Sequence, residues 1–487
     1  MIKRWMFKVT GLTFMVLIGV IGFNAMHVGS NPPVRVSSPM EITIDAGEVA
    51  QRLAHAVRYR TISNEADPAF NEAAFRGLHE FVEDAFPQVH KALKREVVAD
   101  FSLLYTWMGS DPSLKPILLS AHMDVVPVEP GTERSWTHPP FAGVVADGFV
   151  WGRGTLDMKA SMMGVLEAVE YLLAHIVTPK RTIYLAFGHD EEIGGNGGAA
   201  KIANLLQSRN VKLDFSLDEG LVVTEGILPG IPKPVALIGI AEKGLVTLKL
   251  SARGPGGHGS MPPSNSAVGQ LGRALARIED DPMEADMRPP VIDMFNAVIS
   301  EMPLSMRLVF GNRWLLKPLI LNRLSKQPAT NALVRSTLAV TIVKAGVKPN
   351  VIPQKAEALI NVRLIPGDTV ASVIRHLKYV IDDQDVEITI APGTRLEASP
   401  ISDTNSSGYQ DLVSTAHQVF PDALVAPGLL VGTTDTRHYL EMAENSFRFL
   451  PLRIKPDDLR RFHGTNERIA ITNYKEVIRF YIQLLGM

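Results

Sequence analysis

Five short stretches carry side chains that can bind a cation or move a proton. Ser120-Ala121-His122-Met123-Asp124 follows an apolar run. His122 can give one ring nitrogen to a metal while Asp124 accepts a hydrogen bond from the other and sets the tautomer. In Gly152-Arg153-Gly154-Thr155-Leu156-Asp157-Met158-Lys159 the glycines allow a turn that delivers Asp157 to a helix start. A helix cap is the plainer use of an aspartate there. Gly188-His189-Asp190-Glu191-Glu192-Ile193-Gly194-Gly195 sets three acids in a row after a strand. Their repulsion calls for compensation, which a divalent cation supplies. Adjacent carboxylates can also divide the work, one binding metal and one moving protons. Leu217-Asp218-Glu219-Gly220 and Phe462-His463-Gly464-Thr465-Asn466-Glu467 complete the set. Each stretch alone has an ordinary structural use. Together they offer His, Asp, Glu-Glu, Asp and a distant His. Five ligands serve two metals about 3.5–4 Å apart when one carboxylate bridges, the arrangement of a two-metal hydrolytic site. Cysteine is absent, so thiolate sites and disulfides are excluded. A His and carboxylate set suits catalytic zinc with an open position.

The elements that must position these residues alternate. Val49–Tyr59, Ala160–His175 and Gly198–Ser208 have helical periodicity. Pro116–Ser120, Thr182–Phe187 and Leu213–Leu217 read as short strands, each ending at one of the polar clusters. Strands alternating with helices predict an α/β domain with a mixed sheet flanked by helices. Sites in such sheets lie beyond the carboxyl ends of the strands. After Lys243 the pattern changes. Leu245–Ala252, Leu338–Val343 and Ala358–Leu364 alternate as half-buried strands do, with helical stretches between, one beginning near Ser266. These predict an α+β domain at 243–366, inserted between the catalytic parts 45–242 and 367–487.

The chain has 487 residues, 46% hydrophobic and 21% charged, with a formal net charge of −2. These values exclude a disordered chain and a multispan transporter, and leave no basic excess for nucleic acid. Lys3, Arg4 and Lys8 precede an apolar run from Val9 to Met26, about 27 Å as a helix. The reading is a single-pass membrane anchor over 1–44, with Asn31-Pro32-Pro33 as tether and the catalytic domain outside the cytoplasm. A cleaved signal peptide, leaving a secreted protein, and a buried helix are the alternatives.

On these motifs the chain resembles the di-zinc aminoacylase and carboxypeptidase family, which includes acetylornithine deacetylase, succinyl-diaminopimelate desuccinylase and carboxypeptidase G. The resemblance runs from about residue 45 to 487. It is nearest to the carboxypeptidase S and secreted N-acyl-amino-acid hydrolase branch, on Phe187–Glu192, Asn361-Val362-Arg363-Leu364 and Gly432–Tyr439. The resemblance implies two zinc ions bridged by Asp157. Glu192 and His463 complete one metal site, and His122 and Asp218 the other. It further implies Glu191 as general base and then acid, Asp124 as the residue orienting His122, and the inserted domain as a lid and dimerisation surface. His258, in Gly256-Gly257-His258-Gly259-Ser260, would steady the oxyanion, and Arg363 and Asn350 would lie near the substrate carboxylate. Ala160 stands where the family often has glycine, a small change.

The activity implied is amide hydrolysis of peptides, releasing the C-terminal residue, or of N-acyl amino acids. A non-catalytic, membrane-tethered binding protein on the same scaffold is the alternative. The stretch Val291–Leu324 is unusually apolar, and Arg307, Arg313, Lys317 and Arg323 are the last charges in it. It suits either core and interface packing or an apolar surface beside the membrane that receives a hydrophobic part of the substrate.

Overall fold

The computed structural model describes residues 2–27, 38–67 and 70–486; the proposed tether at Asn31-Pro32-Pro33 lies outside them. In chain order the elements begin with helices α1 (Ile2–His27), α2 (Ala46–Val57), α3 (Glu72–Ala85) and α4 (Pro87–Ala92). Strands β1 (Lys94–Val98), β2 (Ser102–Trp107), β3 (Ile117–His122), β4 (Val144–Ala146) and β5 (Phe149–Trp151) follow. Next come α5 (Lys159–Ala174), β6 (Ile183–Gly188), α6 (Ala199–Ser208), β7 (Leu213–Thr224) and β8 (Val235–Glu242). The insertion supplies β9 (Gly244–Arg253), β10 (Gly257–His258), α7 (Ala267–Asp280), α8 (Val291–Val298), α9 (Leu304–Phe310), α10 (Arg313–Leu324) and α11 (Pro328–Val334). It continues with β11 (Thr337–Ala345), β12 (Val351–Ile352), β13 (Lys355–Leu364), α12 (Val370–Ile381) and β14 (Val386–Leu396). The chain closes with α13 (Ser407–Val419), β15 (Leu424–Leu430), β16 (Ala443–Ile454), α14 (Pro456–Leu459), β17 (Arg468–Ala470) and α15 (Ile471–Leu485).

Eight strands form one mixed sheet in the order β1-β2-β6-β3-β7-β16-β8-β15. β3 runs parallel to β6 and β7, and β7 parallel to β16. Central strands are buried on both faces, as the continuous apolar runs of β3 (Ile-Leu-Leu) and β8 require. α5 is apolar nearly all round because it lies between α15 and the sheet. On the other face Ile202 and Leu206 of α6 pack on Leu118 and Ala186.

A small sheet, β17-β5-β4, fixes the two loops that matter most. Arg468 pairs with Trp151 in register, so the loop leaving β5 and the loop entering β17 start side by side. The Arg468 guanidinium lies 4.4 Å from the Phe149 ring centre and 4.3 Å from that of Trp151, a favourable cation–π arrangement.

The insertion has two layers. The first is a four-stranded sheet, β11-β13-β9-β14, whose inner face packs on α7 and α12. Ser266 caps α7, its Oγ accepting from Gly269 N at 3.1 Å, where sequence placed a helix start. The expected boundary at 366 falls inside this unit. α12 and β14 follow it, yet Val370, Val373, Leu377 and Val386 belong to the same core as β9 and β13. Which sheet a segment joins depends on strand pairing, which its own sequence does not carry. The second layer is α8 to α11. Val291, Met294, Phe310 and Ile320 pack against Val235, Leu237 and Ala426 of the large sheet, so much of the apolar stretch serves as packing.

α1 is a helix, but among the described residues no helix is long and apolar enough to cross a membrane. Instead α1 lies against α9. Ala25 is fully buried, and Asn24 Nδ2 donates to Asn312 Oδ1 at 3.0 Å. The expected free-standing anchor is therefore corrected to a helix docked on the insertion.

Leu377 is fully buried, and Leu377→Ala should cost about 2–5 kcal/mol. Hydrogen exchange should show faster exchange in β9 and β13, with β3 and β6 still protected. Loss of protection in β3 and β6 instead would put α12 with the large sheet.

Candidate active site

His122 ends β3 and is 1% exposed. Its Nδ1 lies 2.9 Å from the Asp124 carbonyl oxygen and 3.3 Å from Asp124 Oδ1. Its Nε2 lies 3.0 Å from Asp157 Oδ1 and 3.5 Å from Glu219 Oε1. His463 Nε2 lies 3.1 Å from Asp157 Oδ2 and 3.3 Å from Glu192 Oε2. Two triads result, His122–Asp157–Glu219 and Asp157–Glu192–His463, each with ligand atoms within 4.8 Å of one another. Asp157 is common to both, one oxygen facing each histidine.

Electrostatics show how crowded the acids are. Burial, then the charges of Asp124, Glu192 and Asp157, push Glu191 up to about 8 against the pull of His122. Burial and Asp157 hold Glu219 well above the carboxylate range. Burial alone would depress His122, but Glu219, Asp124 and Asp157 together raise it well above the imidazole range. Hydrogen bonds to Asp157 and Glu192 raise His463 to about 10. The acids thus draw positive charge toward one point. A cation fits this donor set. Each triad offers one imidazole nitrogen and two carboxylates, and Glu192 Oε1 is buried without a hydrogen-bond partner. Imidazole with carboxylate and no thiolate suits zinc and its neighbours in the first transition row.

Asp218, the expected ligand beside His122, is turned away. Its Oδ2 accepts from Thr436 Oγ1 at 3.0 Å and its Oδ1 from Glu219 N at 2.9 Å. The next residue, Glu219, faces His122 instead. The cause is a bulge: Arg448 on β16 pairs with Asp218, but Phe449 pairs with Leu221, so Glu219 and Gly220 have no partners in the ladder. An irregularity of this kind re-aims a side chain. Gly220 has φ 138°, and a Cβ there would lie 2.9 Å from Arg448 Cβ. The strand expected to end at Leu217 therefore runs on through a kink. The acidic pair was visible in sequence; which member faces the site was not.

Asp124 does more than orient His122. Its carboxylate accepts from Ser63 Oγ at 2.6 Å and from the backbone N–H groups of Glu191 and Glu192, each at 3.1 Å. It thereby ties the end of β3 to the acidic turn after β6. Glu467, part of the fifth stretch but without an expected role, is the second tie. It is fully buried. Oε1 accepts from Gly154 N at 2.9 Å and Leu156 N at 2.8 Å, and Oε2 from Arg153 Nη1 at 2.6 Å. Arg153 Nη2 also donates to the His463 carbonyl at 3.1 Å. Gly154, at φ 89°, brings its N–H to this carboxylate; a Cβ there would lie 2.7 Å from Val125 Cγ1. Asp435 is also buried beneath the acidic turn, with both carboxyl oxygens lacking a hydrogen-bond partner. Burial, then Glu191 and Asp218, push it well above the carboxylate range.

Among the described residues, none of the three expected lid residues is bonded to a member of the two triads. His258 and Asn350 are neighbours on the β10–β12 ribbon: His258 pairs with Val351, and Gly259 N donates to the Asn350 carbonyl at 2.9 Å. His258 Nδ1 accepts from Ser260 N at 3.2 Å, leaving Nε2 to carry the proton of the neutral ring. Arg363, on β13, donates from Nε to Asn361 Oδ1 at 3.3 Å. Its Nη1 is buried without a partner, and among the described residues no carboxylate pairs with it.

A mixed sheet carrying His–carboxylate triads at its strand ends is the frame of a metallohydrolase. The chain belongs to the peptidase family M20/M25/M40, whose description matches residues 118–486. It is 43% identical to a probable carboxypeptidase S-like 2 of Dictyostelium discoideum over 98% of this chain and 92% of the relative. It is 38% identical to the human N-fatty-acyl-amino acid synthase/hydrolase PM20D1 over 89% of this chain and 86% of the relative. Carboxypeptidase S of Saccharomyces cerevisiae is 33% identical over 89% and 83%. In fold, the chain is similar to the M20 family metallo-carboxypeptidase Sso-CP2 of Sulfolobus solfataricus, with TM-score 0.64, 19% identity and coverage of 91% and 99%. The protein is thus a hydrolase of the metallopeptidase class.

Glu219→Gln should lower the bound metal, counted by elemental analysis after dialysis against zinc. Asp218→Asn, which can still meet Thr436, should leave the count unchanged. The reverse result would assign the ligand to Asp218.

Proposed function

We propose that the protein hydrolyses an amide bond whose amine side is an amino acid with a free carboxylate, in N-acyl amino acids and in peptides with a free C-terminus. The observation that carries this is Asp157 shared between two His–carboxylate triads, with Glu191 beside them and outside both. Zinc is the ion this donor set suits, held by His122, Asp157 and Glu219 on one side and Asp157, Glu192 and His463 on the other. When bound, such a pair of cations acidifies water and polarises a carbonyl.

The chain's own groups supply the rest. Glu191 takes a proton from the attacking water and returns it to the leaving amine; its raised pKa suits both directions near neutral pH. Its backbone N–H is pinned by Asp124, which limits drift of the carboxylate. His258, with Nε2–H free, donates to the developing oxyanion when the lid approaches. Arg363, whose Nη1 has no protein partner, takes the substrate carboxylate in a paired geometry that lysine cannot reproduce, with Asn350 nearby. The names of the relatives, carboxypeptidase S and N-fatty-acyl-amino acid hydrolase, support both substrate classes. The non-catalytic alternative is disfavoured, because a decayed site would have lost at least one of these groups. The lid also offers an edge strand, β11, for a homodimer. The basic N-terminus ahead of an apolar helix supports export, with the catalytic domain outside the cytoplasm.

Glu191→Gln should retain bound metal and lose about 10²–10⁴-fold in turnover. Near-normal turnover would remove Glu191 from the mechanism. A side-by-side measurement of kcat/KM on a blocked dipeptide and on N-acyl amino acids from acetyl to long chain decides the substrate class. Each methylene received by an apolar surface should raise kcat/KM up to about fourfold, equivalent to about 0.8 kcal/mol. A flat profile with a faster dipeptide would make the protein a peptidase. Absence of amide hydrolysis on both would overturn the proposal.

A further inference from the structure

The apolar stretch is only partly consumed by packing. On α9 and α10, Leu304 is 54% exposed, Trp314 62% and Leu319 59%. α1 lies against α9. It is held in place by Asn312, which is fully buried and donates from Nδ2 to the Ile21 carbonyl at 3.1 Å while accepting from Asn24. A buried amide satisfied in this way specifies one seat for α1. The remaining side of α1 leaves Phe14 62% and Met15 64% exposed. Two sequence-distant segments in contact with each other therefore each leave large apolar side chains exposed.

Within the two segments themselves the charge has one sign, the acids nearby being Asp286 and Asp293 on the preceding part of the insertion. No acidic residue occurs between Glu301 and Glu357, and none precedes Glu41. Arg307, Arg313, Lys317, Arg323 and Lys326 are interleaved with the exposed apolar residues. Lys317 reaches back to Asp286 at 2.6 Å, whereas Arg323 and Lys326 have no carboxylate partner among the described residues. An apolar helical face bordered by basic side chains, with a tryptophan at its edge, has the chemistry of the boundary between headgroups and acyl chains. Negative lipid headgroups complement the basic residues.

We propose that α9 and α10, together with the docked α1, form a surface that lies in the interface of an anionic phospholipid membrane. Trp314, Leu319 and Leu304 enter the acyl boundary, and Arg323 and Lys326 meet headgroup phosphates. The insertion is then a membrane contact in its own right, beyond whatever α1 contributes. A hydrolase seated this way stands where amphiphilic amides concentrate, although the proposal does not depend on which amide it cleaves.

The test uses the full chain and vesicles of phosphatidylcholine with or without phosphatidylglycerol. The wild-type protein should co-sediment with the anionic vesicles and more weakly, by about tenfold or more, with neutral ones. Trp314→Glu combined with Leu319→Glu changes two exposed positions, so circular dichroism should stay unchanged while binding to anionic vesicles falls about tenfold or more. Brominated lipids should quench tryptophan emission in the wild type and less so in Trp314→Phe. Unchanged binding of the double variant would overturn the proposal, since α1 alone would then account for attachment. Equal binding to both vesicle types would also overturn it. So would a wild-type dimer that the double variant converts to monomer with vesicle affinity unaltered, because a second copy would then be the occupant.

Discussion

Like charge packed into a small, poorly hydrated volume is the constraint around which this molecule is arranged. Asp124 and the Glu191–Glu192 turn beyond β3 and β6, Asp157 on the loop after β5 and Glu219 in the β7 bulge converge, with two histidines as their nearest positive partners. Isolated carboxylates in such a place would simply take up protons. Here two backbone N–H groups bond Asp124, and against burial the imidazoles on both sides of Asp157 hold it below the usual carboxylate range. Burial pushes Glu191 and Glu219 upward even against the pull of His122, which lies 3.5 Å from Glu219. The same crowding that makes the site costly suits it to receive divalent cations.

Holding the acids together requires ties between segments far apart in the chain. Asp124 clamps the turn after β6, and Glu467 clamps the loop after β5. Both use a buried carboxylate to gather backbone N–H groups, which costs less than an unpaired charge and leaves little freedom. The β5–β17 pairing brings His463 beside Asp157 although more than half the chain separates them. The bulge between β7 and β16 does the corresponding work for Glu219.

The insertion joins two environments. Its sheet carries Arg363 and the His258–Asn350 ribbon, while its second layer is bonded by apolar contacts to the large sheet. Helices α8 to α11 therefore cannot move as freely as a lid joined only by linkers. A membrane contact through α9 and α10 would bear on the same layer.

Much was legible in the amino-acid sequence, because strong local patterns determine local structure. Apolar runs ending at polar clusters marked β3 and β6, alternation marked β9 and β13, and Ser266 marked the start of α7. The order of His, Asp and Glu residues indicated a shared two-cation chemistry, since those residue types have few other reasons to recur at strand ends. Tertiary structure decided what depends on partners. Asp218 and Glu219 are adjacent acids, and only the register of β16 against β7 turns the second toward His122. Glu467 carries no local signal of its role; its donors sit more than 300 residues earlier. Residues 367–396 fell within the expected second catalytic part, whereas strand pairing places β14 beside β9. The apolar helix α1 had the composition of a spanning segment, and a buried asparagine in the turn between α9 and α10 seated it against the insertion. Periodicity reports which face of an element is apolar, whereas burial, register and hydrogen-bond partners are properties of the assembled chain.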